Sequence, residues 1–201
     1  MGYYDIENTN LKYAAFNGSG WEISTLDSTG DVGYYTSIDT DSSGNVYISY
    51  RDSTNQDLKV AYYNGTGWSL QVIDSGIYGN VSGFTSMMLD SNGRPYISYI
   101  TNDGNYNLNL AYFNGSGWEI TVLVADIYSS YGGYPRETAL SLYNDYVYIS
   151  YTAANGDLAV ITNAPSGFVD EPSLNILGII ILILLICLWF GNQRLPLGRR
   201  S

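Results

Sequence analysis

One segment of this chain is written three times. The stretch from Leu11 to Ser28, LKYAAFNGSGWEISTLDS, shares nine of 18 residues with 58 to 75 and eleven of 18 with 108 to 125, without gaps, which is far beyond chance. Leu11, Leu58, Leu108 and Leu158 open equivalent segments at spacings of 47, 50 and 50. The fourth copy has drifted but keeps Val160, Gly167 and Phe168, the last standing in the place of Trp21, Trp68 and Trp118. A fixed period of this length calls for like units stacked side by side, each covering a face of the next.

Every period holds four alternating stretches. In the best preserved unit they run from Phe84 to Asp90, Pro95 to Ile100, Leu108 to Asn114 and Trp118 to Val124, joined by turn-forming S-N-G-R, T-N-D-G-N-Y-N and N-G-S-G. Four short strands per period with Gly-rich hairpins is the pattern of a propeller blade. The 21 Tyr and 22 Gly agree with many strands and tight turns. The predicted fold class is therefore all-β: a β-propeller-like repeat array over residues 1–168, of about three four-stranded blades in an incomplete ring. The count begins with the outer two strands of one blade and ends with three strands of another, whereas closed propellers have about four to eight blades. Upstream blades of a longer protein, closure by an unusual arrangement, or association with other copies as an oligomer are the expected ways to complete it.

The repeats resemble a prokaryotic surface-protein family whose tandem units run approximately as YTSLALDSNGNPHISYYD, DLKYA, GSGW and ETVDS. The likeness is carried by Tyr35-Thr36-Ser37, Gly44-Asn45-Val46-Tyr47-Ile48-Ser49-Tyr50, Asp57-Leu58-Lys59 and Gly65-Thr66-Gly67-Trp68. It implies a β-propeller on a cell surface and leaves the ligand unspecified. The histidine frequent in that family is Tyr47, Tyr96 and Tyr148 here, so a role resting on that imidazole is absent.

Chemistry finds few footholds. With no His in the chain there is no Ser-His or Cys-His pair and no imidazole ligand for zinc. Glu22 and Glu119 recur at equivalent places of different units, which reads as repeat decoration rather than the paired acids of a glycosidase. The expectation is a protein that is not an enzyme. Asp39, Asp41 and Ser43, ahead of Gly44, match the opening of a calcium loop, but Tyr50 stands where a closing Glu belongs. A hairpin turn is the preferred reading and Ca2+ the weaker one, so no cofactor is expected. Trp21, Trp68 and Trp118 are the weak candidates for ligand binding, since exposed rings stack on sugars, although a Trp repeated once per blade reads first as a packing residue. Asn17, Asn64, Asn80 and Asn114 lie in N-glycosylation sequons. Three of these are Asn-Gly pairs that also suit a hairpin turn.

Charge and the C-terminal end set the location. Residues up to Glu171 hold five basic against all 19 acidic residues, a net charge of −14, which disfavours nucleic acid as a partner. The only cysteine is Cys187, so no disulfide forms within the chain. From Ile176 to Phe190 the sequence ILGIIILILLICLWF carries no charge, and Arg194, Arg199 and Arg200 follow. Residues 176–191 are read as a single transmembrane helix, 169–175 as its linker and 192–201 as a basic cytoplasmic tail, because positive residues stay inside. The repeats then face outward at the cell membrane. The opening Met1 to Asp5 is no secretory signal, so the true N-terminus is expected upstream.

The end also resembles prokaryotic C-terminal sorting signals of the PEP-CTERM type, in which Pro-Glu-Pro precedes a short apolar helix and a basic end. Glu171-Pro172-Ser173 carries that likeness, with Asp170 in place of the first proline. The functional expectation is a membrane-anchored cell-surface binding or adhesion module that meets a glycan or surface protein. The alternatives are a structural surface-layer or spacer protein and a fragment of a propeller glycoside hydrolase.

Overall fold

The computed structural model describes residues 1–75, 80–81, 84–102, 105–127, 137–153 and 155–164. The linker 169–175, the apolar run 176–191, the tail 192–201, Gly167, Phe168 and Ser82 lie outside the described residues. Among the described residues no helix is long and apolar enough to cross a membrane.

The unit Met1–Asn163 is all-β and consists of small antiparallel sheets. The first sheet holds β1 (Gly2–Asp5), β2 (Asn10–Phe16) and β3 (Trp21–Asp27). The second holds β4 (Val32–Thr40), β5 (Val46–Asp52), β6 (Asp57–Tyr63) and β7 (Trp68–Asp74). In the third, the two-residue β8 (Asn80–Val81) and then β9 (Ser86–Leu89) both pair with β10 (Pro95–Asn102), which continues to β11 (Tyr106–Phe113) and β12 (Trp118–Val124). The fourth holds β13 (Thr138–Tyr143), β14 (Tyr146–Thr152) and β15 (Leu158–Thr162).

The strands follow the repeat, with one addition. The sequence pattern allots two strands to the first unit, whereas Gly2–Asp5 supplies a third. It does so because Tyr3 and Asp5 repeat Tyr50 and Asp52: Tyr3 pairs with Lys12 as Tyr50 pairs with Lys59. Equivalence extends to irregularities. The register slips by one residue at Leu11/Lys12, Leu58/Lys59 and Leu108/Asn109, so each of these sheets carries the same β-bulge near the end of its outermost strand.

The second and third sheets bury both faces, one against the sheet before and one against the sheet after. Leu11 of the first sheet shares a cluster with Ile48 and Tyr50 of the second. Leu58 of the second does so with Ile97 and Tyr99 of the third, and Leu108 of the third with Ile149 of the fourth. This is why the strands lack a simple apolar and polar alternation. The approach is close enough at one point to demand glycine: a Cβ on Gly33, where φ is +107°, would lie 2.8 Å from the Leu11 Cα.

Two polar contacts recur at the buried interfaces. On the innermost strands, Thr36 donates to the Gly2 carbonyl at 3.1 Å, the Thr85 and Ser49 hydroxyls bond at 2.7 Å, and Thr138 donates to Ser98 at 3.0 Å. Near the bulge, the Tyr50 hydroxyl donates to Asp27 at 2.8 Å and the Tyr99 hydroxyl to Asp74 at 2.7 Å. At the third interface the corresponding residues, Val124 and Tyr151, join the apolar cluster instead. Asp27 also receives the Lys59 ammonium at 2.5 Å, with Asp52 3.6 Å from the same nitrogen. Burial pushes the Asp27 carboxyl up, but Lys59, the Thr29 N–H and the Tyr50 hydroxyl outweigh it and hold the group below its ordinary range.

A depressed carboxylate pKa gives stability that is present above the unfolded value of about 3.9 and is lost as pH falls through the folded value. Asp27→Ala should cost about 3 kcal/mol at neutral pH, since it takes the nearer of two carboxylates from the largely buried Lys59 ammonium and strands a buried phenol. Asp74→Ala, which loses a single tyrosine bond, should cost about 1 kcal/mol. Urea unfolding measures both, and the gap between wild type and Asp27→Ala should narrow as the pH is taken below that of the free carboxyl.

Candidate functional site

A cleft of about 250 Å³ opens between the second and third sheets. Tyr47, Val60, Tyr62, Ser69 and Gln71 line it from one side, and Pro95, Phe113 and Trp118 from the other. β5 and β6 bring Tyr47 and Tyr62 opposite one another in register, with ring centroids 4.5 Å apart. Trp118 leans across from β12 and donates its indole N–H to the Gln71 side-chain oxygen at 3.2 Å. Burial, followed by the bond to Tyr62, raises the Tyr47 hydroxyl well above its ordinary pKa. It therefore stays a neutral hydrogen-bond group at physiological pH. Among the described residues the lining has aromatic faces and polar tips and no carboxylate.

The repeat explains where the cleft is open. At the preceding interface, Tyr13 takes the place of Val60, and its ring stands 5.0 Å from Trp68, edge to face. That ring occupies the space that Val60 leaves free beside Trp118. At the following interface the tyrosine pair is kept as Tyr96 and Tyr112, centroids 4.5 Å apart, with Leu110 in the place of Val60. Burial is the main cause pushing the Tyr96 hydroxyl up to about 12.

The candidate residues read from the sequence divide. Trp68 and Trp118 each pack against a buried cluster between two sheets, and Trp118 also lines the cleft. Trp21 differs: it is 63% exposed, because the first sheet has no described sheet on the side to which this residue points, and equal spacing therefore does not give equal burial. Sequence reasoning missed Tyr47, Tyr62 and Gln71. The signal available was Tyr47 itself, already singled out as the replacement for the family's histidine.

Asp41 and Ser43 serve the turn, and Asp39 ties this sheet to the next. Asp41 accepts from the Ser43 and Asn45 N–H groups, both at 2.9 Å, and from the Asn45 side chain at 2.8 Å. Asp39 accepts from the Leu89 N–H of the third sheet at 2.9 Å. Among the described residues no group of three or more His, Cys, Asp or Glu stands where it could hold a metal ion. The sequon asparagines Asn17, Asn64 and Asn114 each accept three bonds from their own turns through the side-chain oxygen. Glu22 and Glu119 take the amide N–H of Asn17 at 2.6 Å and of Asn114 at 2.5 Å, which gives the two acids a role in the hairpins. The side chain of Asn80 is outside the described residues.

No family model matches the chain, and neither does any curated protein. Among solved structures, a fucose lectin from Kordia zhangzhouensis, in complex with methyl-fucoside, is 15% identical with a TM-score of 0.45, over 65% of this chain and 93% of that one. A protein of unknown function from Dyadobacter fermentans is 16% identical with a TM-score of 0.51, over 76% of this chain. This chain spans 44% of the length of the latter, and the likeness is one of fold.

If the asparagine side chains hold the hairpins, Asn114→Ala should cost about 1 kcal/mol, since exposed turn bonds carry little each. Glu119→Gln, which keeps an acceptor for the Asn114 amide, should cost less. Urea midpoints of the two variants check the order.

Proposed function

We propose that this chain is a propeller-type binding module without catalytic activity, held at a cell surface by its C-terminal apolar segment, and that the cleft between its second and third sheets takes a sugar ring. The observation that carries the reading is the pairing of Trp118, Tyr47 and Tyr62 with Gln71 and Ser69 around one opening. Aromatic faces offer a sugar's C–H surface a flat apolar partner, while phenol, amide and hydroxyl groups meet its hydroxyls. At about 250 Å³ the cleft is a little under the range of about 300–1,000 Å³ filled by drug-sized ligands, which suits one ring rather than a chain.

A glycan array probed with the full chain in mild detergent tests this. Binding to one or a few terminal sugars is expected, weakened at least tenfold by Trp118→Ala. Val60→Tyr, which places a ring where Tyr13 stands at the preceding interface, should abolish binding while leaving the fold intact. Binding to no glycan, or binding indifferent to both changes, would reject the sugar cleft in favour of a spacer role.

The anchoring half of the proposal rests on the uncharged run from Ile176 to Phe190 and the arginines beyond it. Expressed with a secretory signal, the full chain should sediment with membranes and be digested by protease added outside the cells. Truncation after Glu171 should release the repeats. A full chain that stays soluble without detergent, or repeats sheltered from external protease, would refute the anchor or its orientation.

A further inference from the structure

Five Asn-Gly pairs occur in the chain, at Asn17, Asn64, Asn92, Asn114 and Asn155, and the hydrogen bonds around them set one apart. In such a pair the glycine nitrogen can attack the asparagine side-chain carbon, since no Cβ obstructs the approach. Two groups must be free for that step: the glycine N–H, which becomes the nucleophile, and the asparagine NH2, which leaves. Gly93 and Gly156 donate their N–H groups to the Asp90 and Ala153 carbonyls at 2.9 and 2.8 Å, so these nitrogens are tied to their turns. Asn17, Asn114 and Asn155 donate their NH2 groups to Glu22, Glu119 and Asp157 at 2.6, 2.5 and 2.6 Å. At Asn64 neither restraint is present among the described residues. Ser69 stands where Glu22 and Glu119 stand, and the Asn64 side chain makes its bonds through the oxygen alone.

From this we infer that Asn64 is a modification site, at which the folded chain deamidates itself to aspartate or isoaspartate. The Gly65 nitrogen bonds to the Asn64 Cγ, and the negative charge that gathers on Oδ1 meets the donors of the turn: the Thr66 N–H at 3.0 Å, the Gly67 N–H at 3.1 Å and the Thr66 hydroxyl at 2.7 Å. The bond from Cγ to Nδ2 then breaks, the proton lost by Gly65 passes through water to the leaving nitrogen, and ammonia departs. Water opens the resulting five-membered ring at either carbonyl, so one water enters, one ammonia leaves and nothing is oxidised or reduced. The same kinds of donor surround Asn17 and Asn114 and do not discriminate. Exposure does not separate Asn17 from Asn64 either, since a Cβ on Gly18 or on Gly65 would meet nothing within 4 Å. The carboxylate discriminates: it holds the leaving group and sets a negative charge beside the one that forms. The site lies on the hairpin between Tyr62 and Ser69 of the cleft. Isoaspartate lengthens the backbone of that hairpin, and either product adds a negative charge to it.

Peptide mass mapping of the full chain, made in a host that adds no N-glycans and aged in mildly alkaline buffer with mild detergent, tests the assignment. Asn64 should convert roughly tenfold faster than the other four sites, the factor carried by one hydrogen bond to a charged group. Ser69→Glu should slow Asn64 to the rate of Asn17, and Glu119→Ser should raise Asn114 to the rate of Asn64. Both residues are exposed, so the fold is kept. In concentrated urea, where the hairpin bonds are gone, Asn17, Asn64 and Asn114 should convert at like rates, because their local sequences match. Conversion at Asn64 no faster than at Asn17 and Asn114 overturns the proposal, as does an exchange of Ser and Glu without effect or the same order of rates kept in urea. The readout is mass alone, so it stands or falls apart from any binding of sugar.

Discussion

Everything in this structure depends on a small sheet needing a neighbour on both faces. A sheet of three or four short strands has too little core of its own, so Leu58 and Ile48 point to opposite sides of the second sheet and are buried by different partners. The apolar contact supplies most of the energy, at about 25 cal/mol for each Å² removed from water. Apolar contact is tolerant of sliding, however. The threonine pairs at Thr36, Thr85 and Thr138 and the tyrosine bonds to Asp27 and Asp74 are directional, and they fix the offset of one sheet against the next.

The interfaces are alike in plan and unlike in detail, and the proposed cleft arises from one of the differences. A bulge in β3 and in β7 brings an aspartate to the next sheet's tyrosine, while the bulge in β12 brings Val124, which joins the apolar cluster there. The exchange of Tyr13 for Val60 is smaller still, one side chain among equivalent backbones. It opens a cleft beside Trp118 where the preceding interface has two rings edge to face. Local drift of this kind alters one interface on a scaffold whose other contacts stay constant.

Residues that look chemical in isolation prove to be occupied by the backbone. Asp41, Asn17, Asn64 and Asn114 spend their oxygens on turn N–H groups. Glu22 and Glu119 spend theirs on the asparagine amides. The high acidity of the repeats is thus partly structural: a hairpin-rich fold needs side-chain acceptors for N–H groups that no neighbouring strand reaches.

The sequence by itself determined the all-β class, the period and nearly every strand, because the same residues return at spacings of 47 and 50 and the turns between them are marked by Asn and Gly. It hid β1, since four residues at the start of the sequence look like a terminus until Lys12 and Asn10 pair with them. Tyr47 was visible in the sequence and Tyr62 was not, because their meeting depends on the register of β5 against β6. Only the tertiary structure decided which of Trp21, Trp68 and Trp118 would be covered and which interface would stay open. Burial is a property of what lies opposite, and a repeated residue carries its own chemistry from unit to unit but not its neighbour's.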